Sequence, residues 1–216
     1  MTLIYLKSGT IDDGIKTITN YLPAMDRKPE LYILLSMLYE EKSDFAAGIS
    51  ALEEARRIEP KNLEVLYQIG MLHEKKGEPG KALAIMDEVL TIDPEYPNAL
   101  NFVGYSLAEK GIRLDEAEAM IRKALIKRPD DGYIIDSLGW VFYKKGDLKA
   151  ALQEIRKANN LMPEDPTIHE HLGDIYSALK DYDKALHHYE RSMALEKDPS
   201  KKNSVEQKLR MIKEKR

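Results

Sequence analysis

The 216 residues contain no cysteine, which removes disulfides, thiolate metal sites and cysteine nucleophiles from consideration. The absence suits cytosol and periplasm alike, so it assigns no compartment. Long apolar runs are missing too. Apolar residues recur at helical intervals, and no stretch reaches the roughly 20 residues of a membrane span, so direct membrane insertion is not expected. Met1 to Leu6 is too short for the apolar region of a signal peptide. Positive charge is also in short supply. The net charge is −4, and residues 200–216 hold seven Lys/Arg against two Glu, which leaves the rest at −9. Such a body repels phosphate backbones, and nucleic acid is not an expected partner.

Reactive constellations are lacking as well. No glycine-rich phosphate loop, nucleophile elbow or HExxH motif occurs. Of the five histidines, His169 and His171 are two apart and fall on nearly opposite helix faces, and His187 and His188 are adjacent with no carboxylate at ligand spacing. Neither catalysis nor a metal or cofactor is expected.

What is present is repetition. Pro60, Pro94, Pro129 and Pro163 are spaced by 34, 35 and 34 residues. Glycines at 70, 104, 139 and 173 keep the same phase, as do small residues at 48, 82, 117, 151 and 185. Each period holds two helical patterns separated by a short polar break. Gly77, Gly111 and Gly146 stand where a first helix must stop, and each proline stands just past the end of a second helix. Small residues allow two antiparallel helices to approach, with Gly139 expected to face Ala151. The reading is an all-α, right-handed superhelical solenoid of antiparallel helix pairs spanning 1–199. It comprises a partial unit at 1–28 and full units at 29–62, 63–96, 97–131, 132–165 and 166–199. Residues 200–216 place Val205, Leu209 and Ile212 on one helix face and read as a C-terminal capping helix with a basic tail.

The phase and residue types resemble the tetratricopeptide repeat (TPR). The segments NALNFVGYSLAEKGIRLDEAEAMIRKAL, DDGYIIDSLGWVFYKKG and IHEHLGDIY resemble bacterial members, many of them lipoproteins or otherwise tied to the cell envelope. The resemblance implies a protein–protein interaction scaffold in a bacterial cytoplasm, periplasm or envelope. The first helix is shortened to Thr2–Ser8, leaving Leu3, Ile4, Tyr5 and Leu6 without a preceding repeat. The chain therefore reads as the C-terminal part of a longer protein, so the lack of a targeting signal here assigns no compartment. Chaperone-binding members hold a carboxylate with Lys and Asn on their first helices; here Ile33, Met37, Met71, Asn98 and Phe102 occupy such places, and that clamp is absent.

First helices line the concave wall of such a solenoid. The second, fifth, ninth and twelfth positions of each unit share one face, at i, i+3, i+7 and i+10. They give a stripe of Met37, Met71, Tyr105, Tyr133, Trp140 and Tyr143, bordered by Asn101, Asp136, Glu170 and Asp174. Methionine adapts to varied surfaces and Trp and Tyr anchor interfaces, so these ten residues are the expected peptide-binding face. Ninth-position side chains also wedge between neighbouring first helices, which leaves packing as the competing reading of Trp140, Met37 and Met71. Two alternatives stand beside the scaffold. One is self-assembly through the repeat ends, suggested by Leu3–Leu6; the other is a passive spacer.

Overall fold

The computed structural model describes residues 10–22 and 28–215. The shortened helix at Thr2–Ser8, with Leu3 to Leu6, lies outside these described residues. Twelve helices and no strand occur among them: α1 (Ile11–Tyr21), α2 (Pro29–Glu41), α3 (Phe45–Ile58), α4 (Leu63–Lys75), α5 (Pro79–Ile92), α6 (Pro97–Glu109), α7 (Leu114–Lys127), α8 (Gly132–Lys145), α9 (Leu148–Leu161), α10 (Pro166–Ala178), α11 (Tyr182–Leu195) and α12 (Pro199–Lys215). The chain divides into two compact units, residues 1–99 and 100–216.

In the first unit, α2 packs on α3 and α4 on α5, with α3 also against α4. Ile18, Leu35, Leu38 and Ala51 form one buried cluster, and Leu52, Ala55, Val65, Ile69 and Leu72 a second. In the second unit, α8 packs on α9, α10 on α11, and α12 against α11. One cluster runs through Ile155, Leu172, Ile175 and Tyr189 to Val205, Leu209 and Ile212 of α12. Helix α12 thus covers apolar surface of α10 and α11.

Local chemistry explains the helix bounds. Asp44, Asn62, Asp131, Asp147, Asp165 and Asp181 each precede a helix and accept a hydrogen bond from a backbone N–H of its first turn. Helices α2, α4, α6, α8 and α10 each stop at one repeated position in the left-handed conformation. Glycine fills it at Gly77, Gly111 and Gly146 (φ 79°, 65° and 82°), whereas Ser43 and Lys180 adopt it with side chains (φ 58° and 62°). The turn between α6 and α7 is one residue longer than those after α2, α4 and α10, and its Arg113 is also left-handed at φ 51°. One expected contact is different. A Cβ placed on Gly139 would lie 2.6 Å from Ile155 side-chain carbons, so Gly139 faces Ile155, one turn beyond Ala151. Gly70, Gly104 and Gly173 face Met86, Ile121 and Tyr189 in the same way. The glycine makes room for the large residue on the second helix.

A candidate binding face on the first helices

In the second unit the face is built by α6, α8 and α10. Trp140 projects from α8 and is only 6% exposed. Its indole stacks on His171 of α10 (centroids 4.0 Å apart, planes 16° apart) and on Tyr143 one turn along (4.7 Å, 18°). Its Nε1–H donates to Glu109, and Lys144 Nζ lies 5.0 Å from the ring centroid. The ring is therefore held as packing between successive first helices. Tyr105 of α6 lies against His171 at 6.4 Å and is half-buried. Burial, then the Glu109 and Asp136 carboxylates, hold its phenol well above the usual tyrosine range. Tyr143 is half-buried, whereas Tyr133 is 59% exposed. Asn101 is half-buried, and its Oδ1 is shielded from solvent with no hydrogen-bond partner among the described residues.

The carboxylates of the face are engaged internally. Asp136 Oδ1 meets His171 Nδ1 at 2.9 Å, and both side chains are buried. Burial alone would depress the His171 pKa, but Asp136, with Asp174 and Glu170 beyond it, raises it above the ordinary histidine value. Asp174 accepts from the Tyr189 hydroxyl (2.7 Å) and from Lys208 Nζ of α12 (2.7 Å). Glu170 accepts from the same Lys208 at 2.7 Å. What sequence reading presents as an open acidic border is thus a set of ion pairs that fastens α8 to α10 and α10 to α12.

In the first unit, Met37 of α2 is 43% exposed and Met71 of α4 is half-buried. Lys75 of α4 pairs with Glu40 of α2 and ties the two first helices along this face. Glu30, Glu64 and Glu74 are exposed on it.

His171, Lys208, Glu109 and Lys144 also belong to this face, though the first-helix stripe does not include them. Lys208 was within reach, since it stands 34 residues after Asp174, the repeat period. His171 had no such signal, because its role depends on Asp136 and Trp140 in the preceding repeat. A separate histidine group lies in the last repeat. His169 and His188 approach Nδ1 to Nδ1 at 3.0 Å, His169 Nε2 donates to the Pro163 carbonyl at 3.1 Å, and Tyr176 stacks on His188. Among the described residues, no group of three His, Asp or Glu side chains is arranged to hold a metal ion. No described helix is long and apolar enough to cross a membrane.

Family models described as tetratricopeptide repeat match residues 39–104 and 101–201, together most of the chain. The chain belongs to the tetratricopeptide repeat family. A TPR repeat-containing protein of Pseudomonas aeruginosa is 30% identical over 177 residues, covering 80% of this chain and 29% of the relative. The cell division cycle protein 27 homolog A of Arabidopsis thaliana is 33% identical over 117 residues, covering 51% and 15%. The chain thus spans less than a third of the curated relatives it matches. Among solved TPR structures, MamA of Desulfovibrio magneticus is 25% identical with a TM-score of 0.61, covering 79% of this chain and 96% of that one. A chain of the APC/C hetero-tetramer Cut9–Hcn1 superposes with a TM-score of 0.80 at 17% identity, over 98% of this chain and 41% of that one. The fold is the TPR solenoid, and TPR membership supports a protein–protein interaction scaffold in a family that is generally non-catalytic.

Proposed function

We propose that the chain is a scaffold that binds a peptide or protein segment on the face presented by its first helices. The observation that carries this reading is the exposure of two large side chains on this face: Met37, at the position where Trp140 is occupied by packing, and Tyr133, at the second position of its own repeat. Half-buried Met71, Tyr105 and Tyr143 extend the same face within their own units. Exposed apolar residues on a defined face mark interaction surfaces, and methionine and tyrosine adapt to or anchor a partner. Because Asp136, Glu170 and Asp174 are neutralised internally, the charge available to a ligand is that of Glu30, Glu64 and Glu74 in the first unit. The segment bound there is therefore apolar at its anchors and basic beside them. A chain of the Cut9–Hcn1 hetero-tetramer shares the fold, a precedent for partner binding on this architecture.

The test compares the chain with a Met37→Ala, Tyr133→Ala variant as bait in source-cell lysate, after circular dichroism shows both equally helical. Loss of a captured protein by about tenfold or more, the effect of removing an interface hot spot, supports the reading. Equal capture by both moves binding away from this face.

A further inference from the structure

Charge is unevenly shared between the two units. Residues 1–99 hold 11 Lys/Arg against 17 Asp/Glu, a balance of −6, whereas residues 100–216 hold 22 against 20, a balance of +2. The contrast sharpens on the first-helix face. In the first unit this face carries exposed Glu30, Glu64 and Glu74 around Met37 and Met71. Glu40 is matched by Lys75, and Glu64 accepts from Gln68 and Tyr96, but Glu30 and Glu74 have no ion-pair partner among the described residues.

Helix α12 carries the same strip with the opposite sign. Its Val205, Leu209 and Ile212 are buried against the last repeat. Turning away from that seam, Lys201, Ser204, Lys208, Met211 and Lys215 recur at i, i+3, i+7, i+10 and i+14, the spacing that defines the binding face on the other first helices. Lys208 shows where this strip points, because it reaches the face residues Glu170 and Asp174 of α10. Met211 is 57% exposed, and Lys201 and Lys215 are exposed without an ion-pair partner among the described residues. A methionine flanked by lysines thus stands at one end of the chain, and methionines flanked by glutamates at the other.

We infer that the chain associates head to tail with a second copy of itself, the acidic methionine face of α2 and α4 receiving the Lys201–Met211–Lys215 strip of α12. The inference rests on the reading that first helices present the binding face, and it names one occupant of that face. Complementary charges at the rim of an interface steer association and fix its register, and exposed methionines supply adaptable apolar contact. The contact pairs unlike patches, since one copy offers its acidic face and the other its basic strip.

Light scattering across protein concentrations from about 1 μM to about 1 mM, the range of weak association, tests this at about 10 mM and about 1 M salt. The expected mass climbs with concentration at low salt and returns to the monomer at high salt, where screening reaches within about 3 Å. Glu30→Lys with Glu74→Lys makes both ends basic, and Lys201→Glu with Lys215→Glu makes both ends acidic. Each variant alone is expected to weaken association by about tenfold or more, and mixing the two restores it, because their ends are again opposite. All four positions are exposed, so the fold is retained. A monomer at every concentration in low salt overturns the inference and leaves foreign-segment binding to the Met37, Tyr133 experiment. Association indifferent to both reversals, or a mixture no stronger than its parts, also overturns it.

Discussion

Trp140→Ala separates packing from binding most cleanly. The indole is 6% exposed, stacks on His171 at 4.0 Å and on Tyr143 at 4.7 Å, and donates to Glu109. Truncating a buried aromatic side chain to alanine costs about 3–5 kcal/mol, of which each stacked pair accounts for about 0.5–1.5. The loss falls on the seam between α8 and α10. It also opens the buried Asp136–His171 pair to water. In a repeat protein the seam energy holds one repeat to the next, so the 166–199 repeat and α12 are expected to loosen before the 132–165 repeat. A cost of about 3 kcal/mol corresponds to a Tm drop of roughly 10 °C for a unit of this size. Urea unfolding followed by far-ultraviolet circular dichroism measures it, since the variant has no tryptophan to follow. Trp140→Phe, which keeps an aromatic ring but loses the N–H, is expected to cost only about 1 kcal/mol. Should the alanine variant unfold within about 0.5 kcal/mol of the parent, the range of neutral surface changes, the packing argument fails and the ring is a surface anchor.

Three further outcomes follow from the geometry. The His171 pKa is raised in the folded protein, so its stabilising contribution is complete below the unfolded value of about 6.5 and declines as pH rises through the higher folded value. Emission from Trp140, stacked on that ring, is expected to titrate with a midpoint above about 6.5 and to lose the transition in His171→Phe; a midpoint at or below that value contradicts the pairing. His188 behaves oppositely. Burial first, then His169 and His187, push it down to about 4, so the folded repeat excludes a proton that the unfolded chain accepts. Stability is therefore lost as pH falls from about 6.5 to about 4, by about 1–2 kcal/mol after allowance for partial exposure, and His188→Phe should flatten that acid limb in denaturation curves. Lys180 holds a left-handed backbone that glycine adopts without strain, and Lys180→Gly is expected to raise stability by about 1 kcal/mol, while Gly146→Ala lowers it by a similar amount; equal midpoints for both variants would rule the strain out.

Much of this protein was legible from sequence because a repeat array writes its fold in local terms. The 34-residue period, the glycines that end first helices and the prolines past second helices all act within one helix pair, so the all-α TPR architecture follows from residues near one another in the chain. The composition of the first-helix face is legible for the same reason, since i, i+3, i+7 spacing determines which residues share a side. Which of those residues remain open to a partner is decided between repeats. Trp140 and Met37 hold equivalent positions. The tertiary structure stacks Trp140 on His171, a residue of the following repeat, and leaves Met37 exposed. Glu170 and Asp174 border the stripe in the sequence, and in the fold Lys208 of α12 reaches both. Gly139 shows the same division on a smaller scale. Its smallness was visible in the sequence, but the Ile155 side chain it accommodates depends on how far the second helix has slid along the first. The helices and their faces follow from residues close in the chain, since propensity, capping and periodicity are short-range. The tertiary structure decided which charges and rings are used up, because that depends on distances between side chains a full repeat apart.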